Sequence, residues 1–99
     1  MAEMARLNEL TAQIAQMHQQ MDYWRGQERR TAAMLEAAMA DMAGYTRRGR
    51  LPDPVVSAAV NNHSIALNRI RANMESLQRR RTAAEGEHRA LAQRIRGRG

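Results

Sequence analysis

The segment RRGRLPDPVV, residues 47–56, joins a helix-ending signal to a helix-starting signal. Gly49 can adopt the left-handed conformation that ends a helix, and the arginines before it favour the negative end of the helix dipole. Asp53 is a strong N-cap, and Pro54 suits the first helical position, where no amide hydrogen is needed. The segment therefore predicts a turn at 49–53 between one helix ending near residue 48 and another beginning at residue 54.

The residues before the turn carry an uninterrupted heptad pattern. Twelve positions alternate three and four residues apart, which keeps one narrow stripe on a single face of a helix. They are Leu7, Leu10, Ile14, Met17, Met21, Trp24, Glu28, Thr31, Leu35, Ala38, Met42 and Tyr45, with Leu7 at heptad position a. This pattern predicts a helix over about residues 3–48 that packs along one side.

A second heptad pattern of equal length follows the turn. It consists of Val56, Val60, His63, Leu67, Ile70, Met74, Leu77, Arg81, Ala84, His88, Leu91 and Ile95. A single narrow seam has nothing to bury against unless it finds a partner, and a short turn makes neighbouring helices antiparallel. The sequence therefore predicts an all-α fold, a long antiparallel two-helix coiled-coil hairpin of about 3–48 and 54–96, with a parallel, domain-swapped or open form as the alternative. Residues 1–99 would form a single domain.

The register of this hairpin has two solutions, because facing residues could have numbers that add to about 98 or about 105. We favour 105, since it faces Arg81, a misfit in an apolar column, with the ring of Trp24. Glu28 would lie one turn away and could share the guanidinium. Polar residues at these three seam positions would fix the register of the two helices and would lower the stability of the hairpin.

Composition narrows the class of protein. The 99 residues contain no cysteine, which excludes disulfides and thiolate metal sites. No run of eighteen apolar residues is present, and the N-terminus lacks the pattern of a cleaved signal. We therefore expect a soluble protein without a membrane partner, located in the cytoplasm or in a particle assembled from it.

Catalysis is not expected from this sequence. It contains no Ser/His/Asp or Cys/His combination and no Gly-rich phosphate loop, and two packed helices form no concave pocket. Glu85-x-x-His88 matches the carboxylate–histidine pair of di-iron helical bundles, but the other helix offers only glutamines at that height. We predict no catalytic residue, metal, cofactor or small-molecule substrate.

All sixteen basic residues are arginine, and they are unevenly distributed. Residues 1–45 have four arginines against six acids, a net charge of −2, and residues 46–99 have twelve against four, a net charge of +8. On the second helix, Arg71 with Glu75 and Glu85 with Arg89 are expected to pair at i, i+4. The candidates for phosphate contact are Arg47, Arg48, Arg79, Arg80, Arg94, Arg96 and Arg98. Two interpretations stay open, an oxyanion partner or a GC-rich codon usage.

Some residues indicate docking to another protein. Met34 and Met39 flank the seam and leave more apolar surface near the turn than one partner helix covers. Gly26 and Gly86 occupy f positions on the outside, where glycine costs a helix about 1 kcal/mol unless another backbone packs there. Arg50 lies at the exposed turn. We predict that these five residues contribute to a partner interface.

The sequence therefore favours a non-enzymatic structural or assembly protein that acts through protein–protein contacts or self-association. A phage or virus particle component, or a secretion-machine accessory, would suit such a hairpin. In outline the chain resembles the two-helix stalk proteins of type III export systems, which are also basic antiparallel coiled coils. The alternative is a small basic nucleic-acid-associated protein that makes non-specific phosphate contacts.

Overall fold

The computed structural model describes residues 2–98, which form two helices that pack against each other as a hairpin. Helix α1 spans Ala2–Arg47 and helix α2 spans Pro54–Arg98. No strand occurs within residues 2–98. The predicted helical hairpin is confirmed, with helix boundaries within two residues of those expected from the sequence.

The end of α1 is a Schellman motif centred on Gly49. This residue has φ 68°, the left-handed conformation expected of it. Its N–H donates to the carbonyl of Thr46 at 3.0 Å, and the N–H of Arg50 donates to the carbonyl of Tyr45 at 2.9 Å. These two bonds satisfy carbonyls that the end of a helix otherwise leaves unpaired.

The start of α2 is capped by Asp53. A carboxylate oxygen of Asp53 accepts from the N–H of Val55 at 2.8 Å. The backbone carbonyl of the same residue accepts from the N–H of Ser57 at 3.1 Å, which is the first hydrogen bond of the helix. Both halves of the predicted turn chemistry are therefore confirmed.

The seam lies where the heptads place it. All twenty-four predicted seam positions are buried or half-buried. Nine residues among those described are buried, and every one belongs to the seam. They are Leu10, Met21, Thr31, Ala38, Leu67, Ile70, Leu77, Ala84 and Leu91. The heptad pattern thus identifies the buried side of each helix correctly.

Each helix contributes to two compact units. The first unit joins the part of α1 up to Tyr23 with the part of α2 from Met74 on. In this unit Leu10 packs against Ala84 and Leu91, and the partly buried Leu7, Ile14 and Met17 pack against this cluster. Thr11 hydrogen-bonds His88 at 3.0 Å. The two residue numbers of this pair add to 99.

The second unit contains residues 24–73, including the turn. Across its two helices, Glu28 Oε2 lies 3.2 Å from Nε of Arg71. These numbers also add to 99. The two units agree on a register near 98, so the favoured register near 105 is wrong. The predicted contact between Arg81 and Trp24 remains a prediction.

Candidate interaction surface

Exposed apolar side chains concentrate in the second unit, which contains five of the seven large ones in the described chain. Leu51 in the turn is 91% exposed, and Val55 in the first turn of α2 is 77% exposed. Met34 and Met39 on α1 are about half exposed, and Ile65 on α2 is less so. The predicted surplus of apolar surface near the turn is therefore present, and it extends into the turn itself.

Next to this turn, the end of α1 forms one side of a shallow polar depression. Its lining includes Asp41, Gly44, Tyr45 and Arg48. The guanidinium of Arg48 lies 5.3 Å from the centre of the Tyr45 ring, a cation–π contact. This contact gives Arg48 a role at the helix end, whereas Asp41 has no ion-pair partner among residues 2–98.

The arginines proposed to touch phosphate differ in their surroundings. Arg79 lies 3.5 Å from Glu75, and Arg98 pairs with Glu3. The remaining candidates and Arg50 are exposed, and within residues 2–98 they form no ion pair; these six are Arg47, Arg48, Arg50, Arg80, Arg94 and Arg96. We call this set the unpaired arginines. Three of them lie at the turn, and the other three lie on the later part of α2.

The expected i, i+4 pairs on α2 are replaced by other pairs. Arg71 forms an ion pair with Glu28 of the facing helix, and Glu75 forms one with Arg79. Glu85 pairs with Arg81 at 3.3 Å rather than with an arginine four residues further on. For Arg71 the reason is the register, which places a carboxylate of the facing helix within reach.

Arg81 is the polar residue in the seam of α2, with a side chain 16% exposed. Its Nη2 donates to Gln78 at 2.8 Å. Its Nε faces Glu85 but makes no hydrogen bond, so a buried donor stays unsatisfied. Both partners lie on its own helix, and a role for Arg81 in fixing the register remains a prediction.

His88 is half-buried and is hydrogen-bonded to the facing helix. The hydroxyl oxygen of Thr11 lies 3.0 Å from Nε2 of His88 and 3.0 Å from the carbonyl oxygen of Leu7. Within residues 2–98, no group of three or more His, Cys, Asp or Glu side chains could hold a metal ion.

Across the first unit, a two-pronged ion pair joins Arg6 to Glu87. Nε and Nη2 of Arg6 donate to the two carboxylate oxygens of Glu87 at 2.9 and 3.0 Å. A third contact joins Nη1 of Arg6 to Glu9 at 3.0 Å. The hydrogen bonds from Arg6 lower the pKa of Glu87 below its ordinary value of 4.5. In turn, the carboxylates of Glu87 and Glu9 raise the pKa of Arg6. Sequence reasoning missed this pair, although both residues occupy g positions that face each other across antiparallel helices.

This ion pair predicts a pH-dependent contribution to stability. Because the folded-state pKa of Glu87 is lowered, its contribution is present in full above pH 4.5 and is lost as the pH falls through the lower, folded-state pKa. Glu87→Gln should therefore lower Tm at pH 7 and leave it equal to wild type at a pH below that pKa. Thermal unfolding from pH 2 to 7 measures this. A difference in Tm that stays constant over the whole range would contradict the assignment.

Gly26 and Gly86 are not required by packing within the chain. A Cβ at Gly86 would meet nothing within 4 Å, and one at Gly26 would meet only the end of the Arg30 side chain at 3.7 Å. Neither backbone is therefore approached closely by the hairpin itself. Their use by a partner remains a prediction.

No protein-family model matches this chain, and the comparisons with curated proteins and with solved structures likewise give no match. Neither described helix contains a stretch long and apolar enough to cross a membrane.

Proposed function

We propose that the protein is a non-enzymatic structural or assembly component that acts through protein–protein contacts in a larger complex. A phage or virus particle, or a secretion machine in which the hairpin is an accessory, is the kind of complex that fits. The observation that carries this proposal is the pair Leu51 and Val55, whose side chains are 91% and 77% exposed at the turn. Burial of two such side chains in a partner contributes about 3–5 kcal/mol, based on typical transfer energies.

The rest of the turn region supports the same interpretation. Met39 adds an exposed, flexible apolar side chain on α1, and methionine adapts well to the surface of a partner. Arg50 adds a cation beside Leu51 without an ion pair of its own in the described chain. An apolar centre with a basic rim is typical of a protein interface and matches a partner surface with an acidic edge.

A photo-crosslinking amino acid tests this surface. Placed at position 51 in cells that make the protein naturally, it should give a discrete adduct after irradiation. The matched control is Asn61, an exposed polar position on α2 in the same unit. Mass spectrometry then separates an adduct to a second copy from one to another protein. Adducts at position 61 but none at positions 51, 55 or 39 would contradict the proposal.

The unpaired arginines favour a second candidate, a protein that makes non-specific contacts with nucleic acid. Guanidinium groups at the turn and on the later part of α2 could neutralise phosphates. Binding to a duplex DNA should then weaken steeply between 50 and 200 mM salt, by about tenfold or more for several contacts. Affinity that is negligible at low salt would exclude this candidate and leave the first standing.

A further inference from the structure

One flank of α1 in the second unit carries a stripe that the hairpin does not cover. Its residues are spaced alternately three and four apart at the g and c heptad positions, so they lie on one narrow face. They are Gln27, Arg30, Met34, Ala37, Asp41 and Gly44. Four of the six are exposed, and Gln27 and Gly44 are half-exposed. We call this set the flank stripe.

The flank stripe is complementary to itself when it is reversed. Laid antiparallel to a second copy, with facing residue numbers that add to 71, Arg30 faces Asp41 and Met34 faces Ala37. Gln27 then faces Gly44. In the two uncharged pairs, a long side chain faces a small residue. In the charged pair, a base faces an acid. An interface with a two-fold axis has this property, because residue i contacts j and j contacts i.

We propose that the flank stripe of one chain packs against the flank stripe of a second copy, so that the protein is a homodimer of hairpins. Met34 of each copy lies over Ala37 of the other, and two ion pairs between Arg30 and Asp41 flank this central contact. The partner on this surface is thus a second copy of this chain, because the flank stripe is complementary to its reversed copy in charge and in side-chain size.

The two charged residues are available for this contact. Neither Arg30 nor Asp41 forms an ion pair among residues 2–98. They cannot serve each other within one chain, because the helix between them separates them by about 16 Å. One antiparallel partner would supply an ion pair to each of them, because its Asp41 would face Arg30 and its Arg30 would face Asp41.

The accessible surface of the chain leaves room for such an interface. It is 7202 Å², whereas a compact monomer of 11.2 kDa exposes about 5,700 Å². The excess, roughly 1,500 Å², is larger than the 800 Å² or so that one partner loses in a standard interface. Dimer formation would therefore bring the exposed surface toward the value expected for a protein of this size.

This inference rests on the proposed function, since it names the partner of one part of the surface. It uses Arg30, Met34 and Asp41, whereas the crosslinking test of the proposed function uses positions 51, 55 and 39. A monomeric protein would overturn the homodimer and leave docking at the turn untouched. The two proposals can therefore fail separately.

Charge reversal provides the test, with the full chain and sedimentation equilibrium as the measurement. The wild-type chain should sediment with twice its mass of 11.2 kDa. Arg30→Glu places two acids opposite each other at both ion-pair sites of the dimer, and Asp41→Arg places two arginines there. Each single variant should therefore weaken the dimer by about tenfold or more in Kd, because like charges in contact repel.

An equimolar mixture of the two variants supplies the decisive control. In a mixed dimer, the acid introduced at position 30 of one chain faces the base introduced at position 41 of the other, and the remaining contact is the natural one. The mixture should therefore regain the wild-type dimer, and the doubly substituted chain R30E/D41R should do so as well. Rescue in the mixture cannot arise from any contact within a single chain.

A third variant tests the centre of the stripe. Met34→Glu should abolish the dimer, whereas Met4→Glu, at a similarly exposed methionine in the first unit, should leave it intact. Helix content measured by circular dichroism confirms that each variant is folded. Wild type that stays monomeric at about 100 μM, or a dimer that persists through R30E, D41R and M34E alike, would overturn the proposal.

Discussion

Leu10→Ala is expected to lower the free energy of unfolding by about 3 kcal/mol. Leu10 is 1% exposed and is the most deeply buried large side chain described. It packs against Ala84 and Leu91 of the facing helix. Truncation of its side chain to a methyl group leaves a cavity that Ala84 and Leu91 cannot fill unless a helix moves. Both transfer free energy and packing contacts are therefore lost.

The matched control for this substitution is Leu51→Ala. The same atoms are removed, but Leu51 is 91% exposed, so the free energy of unfolding should change by less than about 0.5 kcal/mol. Urea denaturation followed by circular dichroism measures both, at one protein concentration, since self-association makes stability depend on concentration. Equal losses for the two variants would contradict the seam packing described for the first unit.

The side of each helix that is buried could be predicted from the sequence because burial is periodic. A stripe at alternating spacings of three and four admits only one buried face, and polar residues within it, such as Thr31 and Glu28, do not interrupt the spacing. The turn could be predicted because its chemistry is local. Gly49, Asp53 and Pro54 each act on the backbone within a few residues, with no need to know what the helices contact.

The register could not be predicted from the apolar pattern, because a shift by one heptad preserves it. The register is instead visible in polar pairs that each join a seam residue to a residue at the edge of the facing helix, His88 with Thr11 and Glu28 with Arg71. The sequence-based choice rested on one cation–π contact for Arg81. Arg6 and Glu87, both at g positions, come together only in the register with the smaller sum.

The candidate surface was predicted in part. Met34 and Met39 were expected to be exposed, and they are. Val55 was missed, as was Leu51, although Val55 directly precedes a seam residue and must therefore point away from the seam. The predicted partner of Arg71 was wrong, because Arg71 has one acid within reach on its own helix, Glu75, and another on the facing helix, Glu28. Such a choice depends on the facing helix and not on the spacing along one helix.

Gly49→Ala is expected to lower the free energy of unfolding by about 1 kcal/mol. A Cβ at position 49 would meet nothing within 4 Å, so the loss comes from the backbone alone. At φ 68°, alanine carries a conformational cost of about 1–2 kcal/mol, partly offset by the smaller freedom of its unfolded state. Gly86→Ala is the control, because the same change inside an exposed helix should raise stability by about 1 kcal/mol. Urea denaturation of both variants should show opposite signs, and two stabilising changes would mean that α1 does not end through a left-handed residue.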